Sequence, residues 1–365
     1  MVAARSHLAA PHRALRLACV VLLAAAPLAV SHAQAPRVGD GVAPLPVRLS
    51  NTGLYANGSH TQTRASVLPF APQYALWSDG ADKQRWIWLP PSTSIDATQP
   101  DAWQFPPGTK LWKEFSQAGR RIETRTIERL ADGTWRYAAY VWNDAGTEAL
   151  LAPARGAIVH GVAHAPEGRY EVPARADCTG CHEGASQPVL GFSALQLSRD
   201  RDPLAPHAPA TAGLALEELA ARGLLSDLPS ALLEQPPRIA AASPTERAAL
   251  GYLHANCGHC HNRSGNGVPL RLNLAQSAAD AARSRADTLR STVDVEGRFR
   301  TPTLPAHAPL VAPRQPESSV LALRMRSRHA QLQMPPIGTR ATDDAGLALV
   351  ERWIRHDTAT PEEHP

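Results

Sequence analysis

Ile122-Glu123-Thr124-Arg125-Thr126-Ile127, Asp132-Gly133 and Trp135-Arg136-Tyr137-Ala138-Ala139-Tyr140 read together as two strands and the turn that joins them. In both flanks bulky and polar residues partly alternate, the pattern of a half-buried strand. Asp-Gly between them is a hairpin signal, because a two-residue turn needs residues that accept positive φ. Working outward, 84–89 and 109–115 have the same aromatic and β-branched character, set off by Pro90-Pro91 and Pro106-Pro107-Gly108. Seven of the eight tryptophans (Trp77, Trp86, Trp88, Trp103, Trp112, Trp135 and Trp142) fall in this region. The segment 34–165 is therefore expected to be an antiparallel all-β domain, sandwich-like and without a cofactor motif. Its tryptophans read as core before they read as the lining of a ligand groove.

Beyond residue 165 the pattern changes. Two pentads stand out, Cys178-Thr179-Gly180-Cys181-His182 and Cys257-Gly258-His259-Cys260-His261. A Cys-x-x-Cys turn puts two thiols on one side at the spacing needed to add across two vinyl groups, and the following His points its imidazole at an iron, which is the c-type haem attachment signature. The sequence thus predicts two covalent haems c, with His182 and His261 as metal ligands. Zinc is the first competing reading, but paired Cys-x-x-Cys motifs in zinc sites close gaps of about 15–20 residues, whereas 75 residues separate Cys181 from Cys257. A redox dithiol is the second, and the βαβ context it needs is not visible around either pair.

The segments around the pentads read as helices and Pro/Ala-rich loops. Residues 214–222 form one helical run, stopped by Gly223. Ser243-Pro244-Thr245-Glu246 is a capping box opening the helix that delivers the second pentad, and 319–328 and a terminal run with Leu347, Val350 and Ile354 follow. This order predicts mainly α-helical cytochrome c-like haem domains, a first haem segment over 166–242 and a second haem domain over 243–365. Gly251 is expected to let Trp353 cross closely over the capped helix.

A low-spin iron needs a second axial ligand, and a thioether there raises the potential. After the N-terminal segment only Met325 and Met334 remain. Met334, in Gln333-Met334-Pro335-Pro336-Ile337-Gly338, is the expected ligand opposite His261, while Met325 lies within a helical run and reads as core. No methionine lies between His182 and Met325, so the first haem takes a histidine or stays five-coordinate. The candidates are His160, His164, His207 and His254, with His254 placed first and His207 next. A histidine there makes the first haem the lower-potential one.

The N-terminus reads as an address. Arg5, Arg13 and Arg16 precede a fourteen-residue apolar run over 17–30 and the small residues Ser31-His32-Ala33, the form of a secretory signal peptide over 1–33. The run is shorter than the roughly 20 residues that span a bilayer, so the chain is expected to be periplasmic and not membrane-spanning. With those three arginines set aside, 34 basic residues face 33 acidic ones, a balance that does not point to nucleic acid. Of the five cysteines, Cys19 leaves with the signal peptide and the other four are all in the pentads.

Beside this reading stands a resemblance. Leu76-Trp77-Ser78-Asp79-Gly80-Ala81, Phe105-Pro106-Pro107-Gly108-Thr109-Lys110-Leu111-Trp112-Lys113-Glu114-Phe115, Tyr140-Val141-Trp142-Asn143, Val189-Leu190-Gly191, Gly251-Tyr252-Leu253-His254-Ala255-Asn256 and Met334-Pro335-Pro336 resemble a family of bacterial exported dihaem c-type cytochromes. The resemblance implies electron transfer in the periplasm, with periplasmic redox proteins as partners. The leading expectation is a one-electron carrier. The runner-up is a dihaem peroxidase-like enzyme with an open first haem, whose pentads are usually more widely spaced. A third is a haem-bearing binding module for a partner dehydrogenase or a glycan. Nothing in the sequence sets the oligomeric state.

Overall fold

The structure, a computed structural model, describes residues 43–209, 213–264, 268 and 270–358; the expected signal peptide lies outside them. Strands run β1 (Leu68–Pro69), β2 (Asp82–Trp88), β3 (Ile95–Asp96), β4 (Lys110–Gln117), β5 (Arg120–Arg129), β6 (Trp135–Trp142), β7 (Ala149–Leu151), β8 (Ala157–His160), β9 (Arg169–Val172) and β10 (Leu225–Ser226). Helices are α1 (Arg175–His182), α2 (Leu216–Ala221), α3 (Ala231–Glu234), α4 (Pro244–Asn256), α5 (Ala281–Thr292), α6 (Val320–Arg326) and α7 (Asp344–Asp357).

The expected fold class is overturned. The fold is mostly β, built on one six-stranded antiparallel sheet in the order β1-β2-β4-β5-β6-β7, and the later half is not a set of mainly α-helical cytochrome c-like domains. Among the described residues only α4, α5 and α7 exceed ten residues. The physical reason lies in the prolines, 33 in the chain, since a proline removes a backbone donor and is tolerated in a helix only in its first turn. Nor, among the described residues, does a second sheet close a sandwich over the first. One sheet face, through Trp86, Trp112, Tyr140 and Trp142, packs under Leu49, Leu54, Tyr55 and Val67. The other face looks into a cavity.

The strands form for local reasons. Asp132 accepts from the Thr134 N–H at 2.9 Å and Gly133 takes φ +85°, so the Asp-Gly turn closes with Arg129 opposite Trp135. Between β4 and β5, Ala118 and Gly119 both have positive φ, as a two-residue hairpin turn requires. The resulting register sets Arg85, Lys113 and Arg125 side by side across three strands.

Packing crosses the expected boundary near residue 165. Ile87 and Leu111 of the sheet share a core with Phe192, Leu197, Leu216 and Leu219, and β3 pairs in parallel with β10. Tyr74 sits in the core formed by α4 and α7. A Cβ at Gly251 would overlap the Tyr74 ring, so the close approach expected of Trp353 is made instead by Tyr74, while Gly346 of α7 faces Tyr252. The segment around Leu76-Trp77-Ser78-Asp79 acts as a clamp: Asn256 accepts from the Trp77 N–H at 2.7 Å, and Asp79 accepts from the N–H groups of Arg340 and Ala341 at 2.9 Å. Among the described residues no helix is long and apolar enough to cross a membrane.

Candidate functional site

The free face of the sheet, α1, the turn after α4 and the loop after α6 enclose a cavity of about 1120 Å³. That is larger than the about 300–1,000 Å³ typical of a small-molecule pocket. Cys178, Cys181, His182, Cys257 and Cys260 all line it, so two pentads far apart in sequence meet in one space. Their backbones touch: a Cβ on Gly184 would come within 2.7 Å of the His259 carbonyl, and Asn262 Nδ2 donates to the Gly184 carbonyl at 2.9 Å.

α1 carries the whole first pentad. Asp177 opens it by accepting from the Ala174 N–H at 2.9 Å, and Cys178, Cys181 and His182 follow on the cavity side. His182 Nδ1 lies 2.6 Å from the Pro188 carbonyl oxygen. A carbonyl only accepts, so Nδ1 carries the proton and the Nε2 lone pair is unspent, the arrangement that prepares a metal-ligating histidine. Burial pushes the ring down to about 4, which keeps it neutral near pH 7. The second pentad folds as a tight turn on the end of α4, with the His261 N–H donating to the Cys257 carbonyl at 2.8 Å. His261 is buried, and among the described residues its Nδ1 has no hydrogen-bond partner. Unlike the four cysteines, it stands behind the cavity wall.

Burial raises all four thiols, Cys181 to about 11 and Cys257 to about 12. They are protonated at neutral pH, the opposite of the lowered thiol that makes a dithiol reactive. No disulfide joins them. Among the described residues, no group of three or more His, Cys, Asp or Glu gathers at metal-ligand spacing.

Met334 lines the cavity, with its N–H donating to the Arg324 carbonyl at 3.0 Å. Met325 also reaches the wall, but its side chain belongs to the core of α4 and α7. The histidines proposed for the first iron are placed less favourably. His254 Nδ1 accepts from the Gln276 N–H at 3.0 Å, so in the neutral ring Nε2 holds the proton and has no lone pair to give. The His207 ring packs tilted against Trp77 with centroids 4.8 Å apart, and its Nε2 meets Asp343 at 2.8 Å. His160 and His164 are exposed to solvent.

Several wall residues escaped sequence reasoning. Tyr137 lies 5.3 Å from the His182 ring, with its hydroxyl unpartnered among the described residues. His259, inside the second pentad, is pushed down to about 4 by burial. Arg85 and Lys113 bring positive charge to the sheet face. Arg85 carried a usable signal, since it shares the phase of Ile87 on its strand and a cation in the inward phase of a strand calls for a reason. No known protein family, no curated protein and no solved structure matches the chain.

The donor set fits a covalently held haem at the first pentad: two protonated thiols, one oriented neutral imidazole and a large cavity beside them. At the second pentad the thiols and Met334 fit, while His261 lacks the carbonyl partner that orients His182.

Proposed function

We propose that this chain is an exported dihaem c-type cytochrome that moves single electrons between periplasmic redox proteins. The observation that carries the reading is the His182 ring, held by the Pro188 carbonyl with Nε2 unspent, on the same helical turn as two protonated thiols. Cys178 and Cys181, and likewise Cys257 and Cys260, hold the groups by thioether bonds. His182 and His261 would hold the irons, and Met334 would offer a thioether at the second. A bound haem iron supplies the reversible one-electron step. The chain's part is to fix those ligands and to cover the cavity, through Trp103, Phe105 and Tyr137 on its wall and the loop held by Asp79.

Denatured protein exported by a host with haem-attachment machinery should keep haem colour on a gel, and its intact mass should exceed that of the polypeptide by two haems. Replacing Cys178 and Cys181 by Ser should remove one of the two. A mass with one haem or none in the unaltered chain overturns the reading.

A peroxidase-like enzyme is the second reading, and one observation favours it: neither His254 nor His207 has a free Nε2 lone pair for the first iron. An open sixth position gives a high-spin ferric spectrum and ready cyanide binding. Peroxide turnover that disappears in His182→Ala would establish it over the carrier.

A further inference from the structure

Arg85 is 6 % exposed and lines the cavity. Among the described residues no carboxylate pairs with it, and burial alone accounts for the downward pull on its guanidinium. Lys113, the neighbouring residue across the β2–β4 ladder, faces the same way. Its environment is cationic: Arg85 and Lys83 from β2 and Arg125 from β5 stand around it, against the carboxylate of Glu123. Glu123 pairs with Arg125 and accepts from the Tyr170 hydroxyl at 2.6 Å, both through Oε1, while its buried Oε2 has no partner among the described residues. Across the cavity Lys113 is near enough to His182 and His259 to depress both rings. Arg85 is buried without a carboxylate, and the half-buried Lys113 beside it, whose ammonium lies over the Phe115 ring at 4.8 Å, adds to a positive wall that has a place for negative charge.

We propose that Arg85 and Lys113 form a carboxylate-binding wall that receives the propionates of the haem held at Cys178 and Cys181, an inference that rests on the functional reading above. A haem carries two propionates on one edge. A guanidinium can grip one carboxylate through two parallel N–H bonds, and an ammonium meets the other as a point charge. Lys113 acts on His182, and Arg125, its neighbour across the β4–β5 ladder, acts on His182, Cys178 and Cys181, which ties this wall to the first pentad. Burial and the cations around it pull the Lys113 amine below its ordinary range, and a carboxylate arriving there opposes that pull. The sheet then has a defined role: it supplies the charge that balances the group which the helical segments attach.

A free dicarboxylate offers the same chemistry, and the test separates the two sources. The full chain, matured with haem, is titrated spectropotentiometrically between about pH 5 and 8 as the unaltered protein, Arg85→Gln, Lys113→Gln and the charge-retaining Arg85→Lys. Lys110→Gln, on the same strand but the opposite face, controls for net charge. Arg85→Gln and Lys113→Gln should keep both haems attached and shift one of the two potentials downward, since losing nearby positive charge favours the ferric state. That potential should also begin to fall as pH rises, because an unbalanced propionate now titrates in this range. Arg85→Lys should restore most of the shift, and Lys110→Gln should show none. Both potentials unmoved in the loaded Gln variants overturn this assignment alone. So does succinate binding to the loaded protein that Arg85→Gln abolishes without moving either potential, which assigns the wall to a free carboxylate. A Lys113→Gln variant whose first haem turns high-spin overturns it too, by making the amine an iron ligand. Unaltered protein without covalent haem overturns the functional reading and this inference with it.

Discussion

His254 has one lone pair in its neutral ring, and the Gln276 N–H takes it at 3.0 Å. Burial, its main cause, pushes this ring down to about 4 from an ordinary value near 6.5. Between those values the folded chain binds fewer protons than the unfolded one. Stability from this group is therefore full above about pH 6.5 and is lost as pH falls toward 4, by a total of about 3 kcal/mol. His254→Asn keeps an acceptor for Gln276 but cannot titrate. In urea unfolding at pH 7 and pH 5 it should lose less stability on acidification than the parent, and the spin state of the first haem should not change. A change in spin state would return His254 to the iron. The two methionines divide in the same manner. Met334→Ala should abolish the long-wavelength sulfur-to-iron band with little cost in stability, whereas Met325→Ala, 7 % exposed in the α4–α7 core, should keep the band and cost about 2–5 kcal/mol. The reverse pattern would exchange their roles. At this scale the pentads stand out because their spacing is written in consecutive residues, and Met334 because so few methionines remain. Arg85 and Lys113 were not, since their meaning depends on which residue stands opposite which across a ladder.

Elements were legible where local chemistry decides them. The runs 84–89, 109–115, 122–127 and 135–140 fall on β2, β4, β5 and β6, because alternation and turn residues act within a few positions. Ser243 does cap α4, accepting from the Glu246 N–H at 3.0 Å, and Glu246 reaches back to the Ala242 N–H at 2.8 Å, one residue beyond the box read from the sequence. What failed was the layer that each element packs against. Alternation shows that a strand has an inner face, but not that this face looks into a cavity instead of onto a second sheet. Gly251 illustrates the limit within one helix: its smallness signalled a close approach, and the partner came from a loop far earlier in the chain, Tyr74. Gly251→Ala should therefore destabilise the chain by about 1–3 kcal/mol through overpacking, although alanine alone would favour a helix by about 1 kcal/mol. Tyr74→Leu in the same chain should recover part of that loss in a double-mutant cycle. Additive effects of the two changes would mean that α4 does not rest on Tyr74.

For the molecule as a whole, the sheet and the segments that carry the pentads share their cores and one cavity. The chain from Pro44 onward forms one compact unit, and the apolar cluster under the sheet includes Phe192, Leu216 and Leu219 from beyond residue 165. The cavity takes one wall from the sheet and the others from α1 and the turn after α4, so neither half can close it alone. Two probes can read the halves separately. Seven of the eight tryptophans lie between residues 77 and 142, which makes their fluorescence a reporter of the sheet, while haem absorbance reports the attachment segments. If the shared core governs unfolding, both signals should change at one denaturant midpoint with one slope, as a cooperative transition requires. Separate domains would part the two curves, with the sheet surviving after the haem signal has collapsed or the reverse. Loss of the Arg85 and Lys113 charges, placed on the sheet but directed at the first haem, should then move both midpoints together, since either probe follows the same event. Midpoints that separate in the unaltered chain would show that the sheet is an independent platform, and that the common cavity does not couple it to the segments it faces.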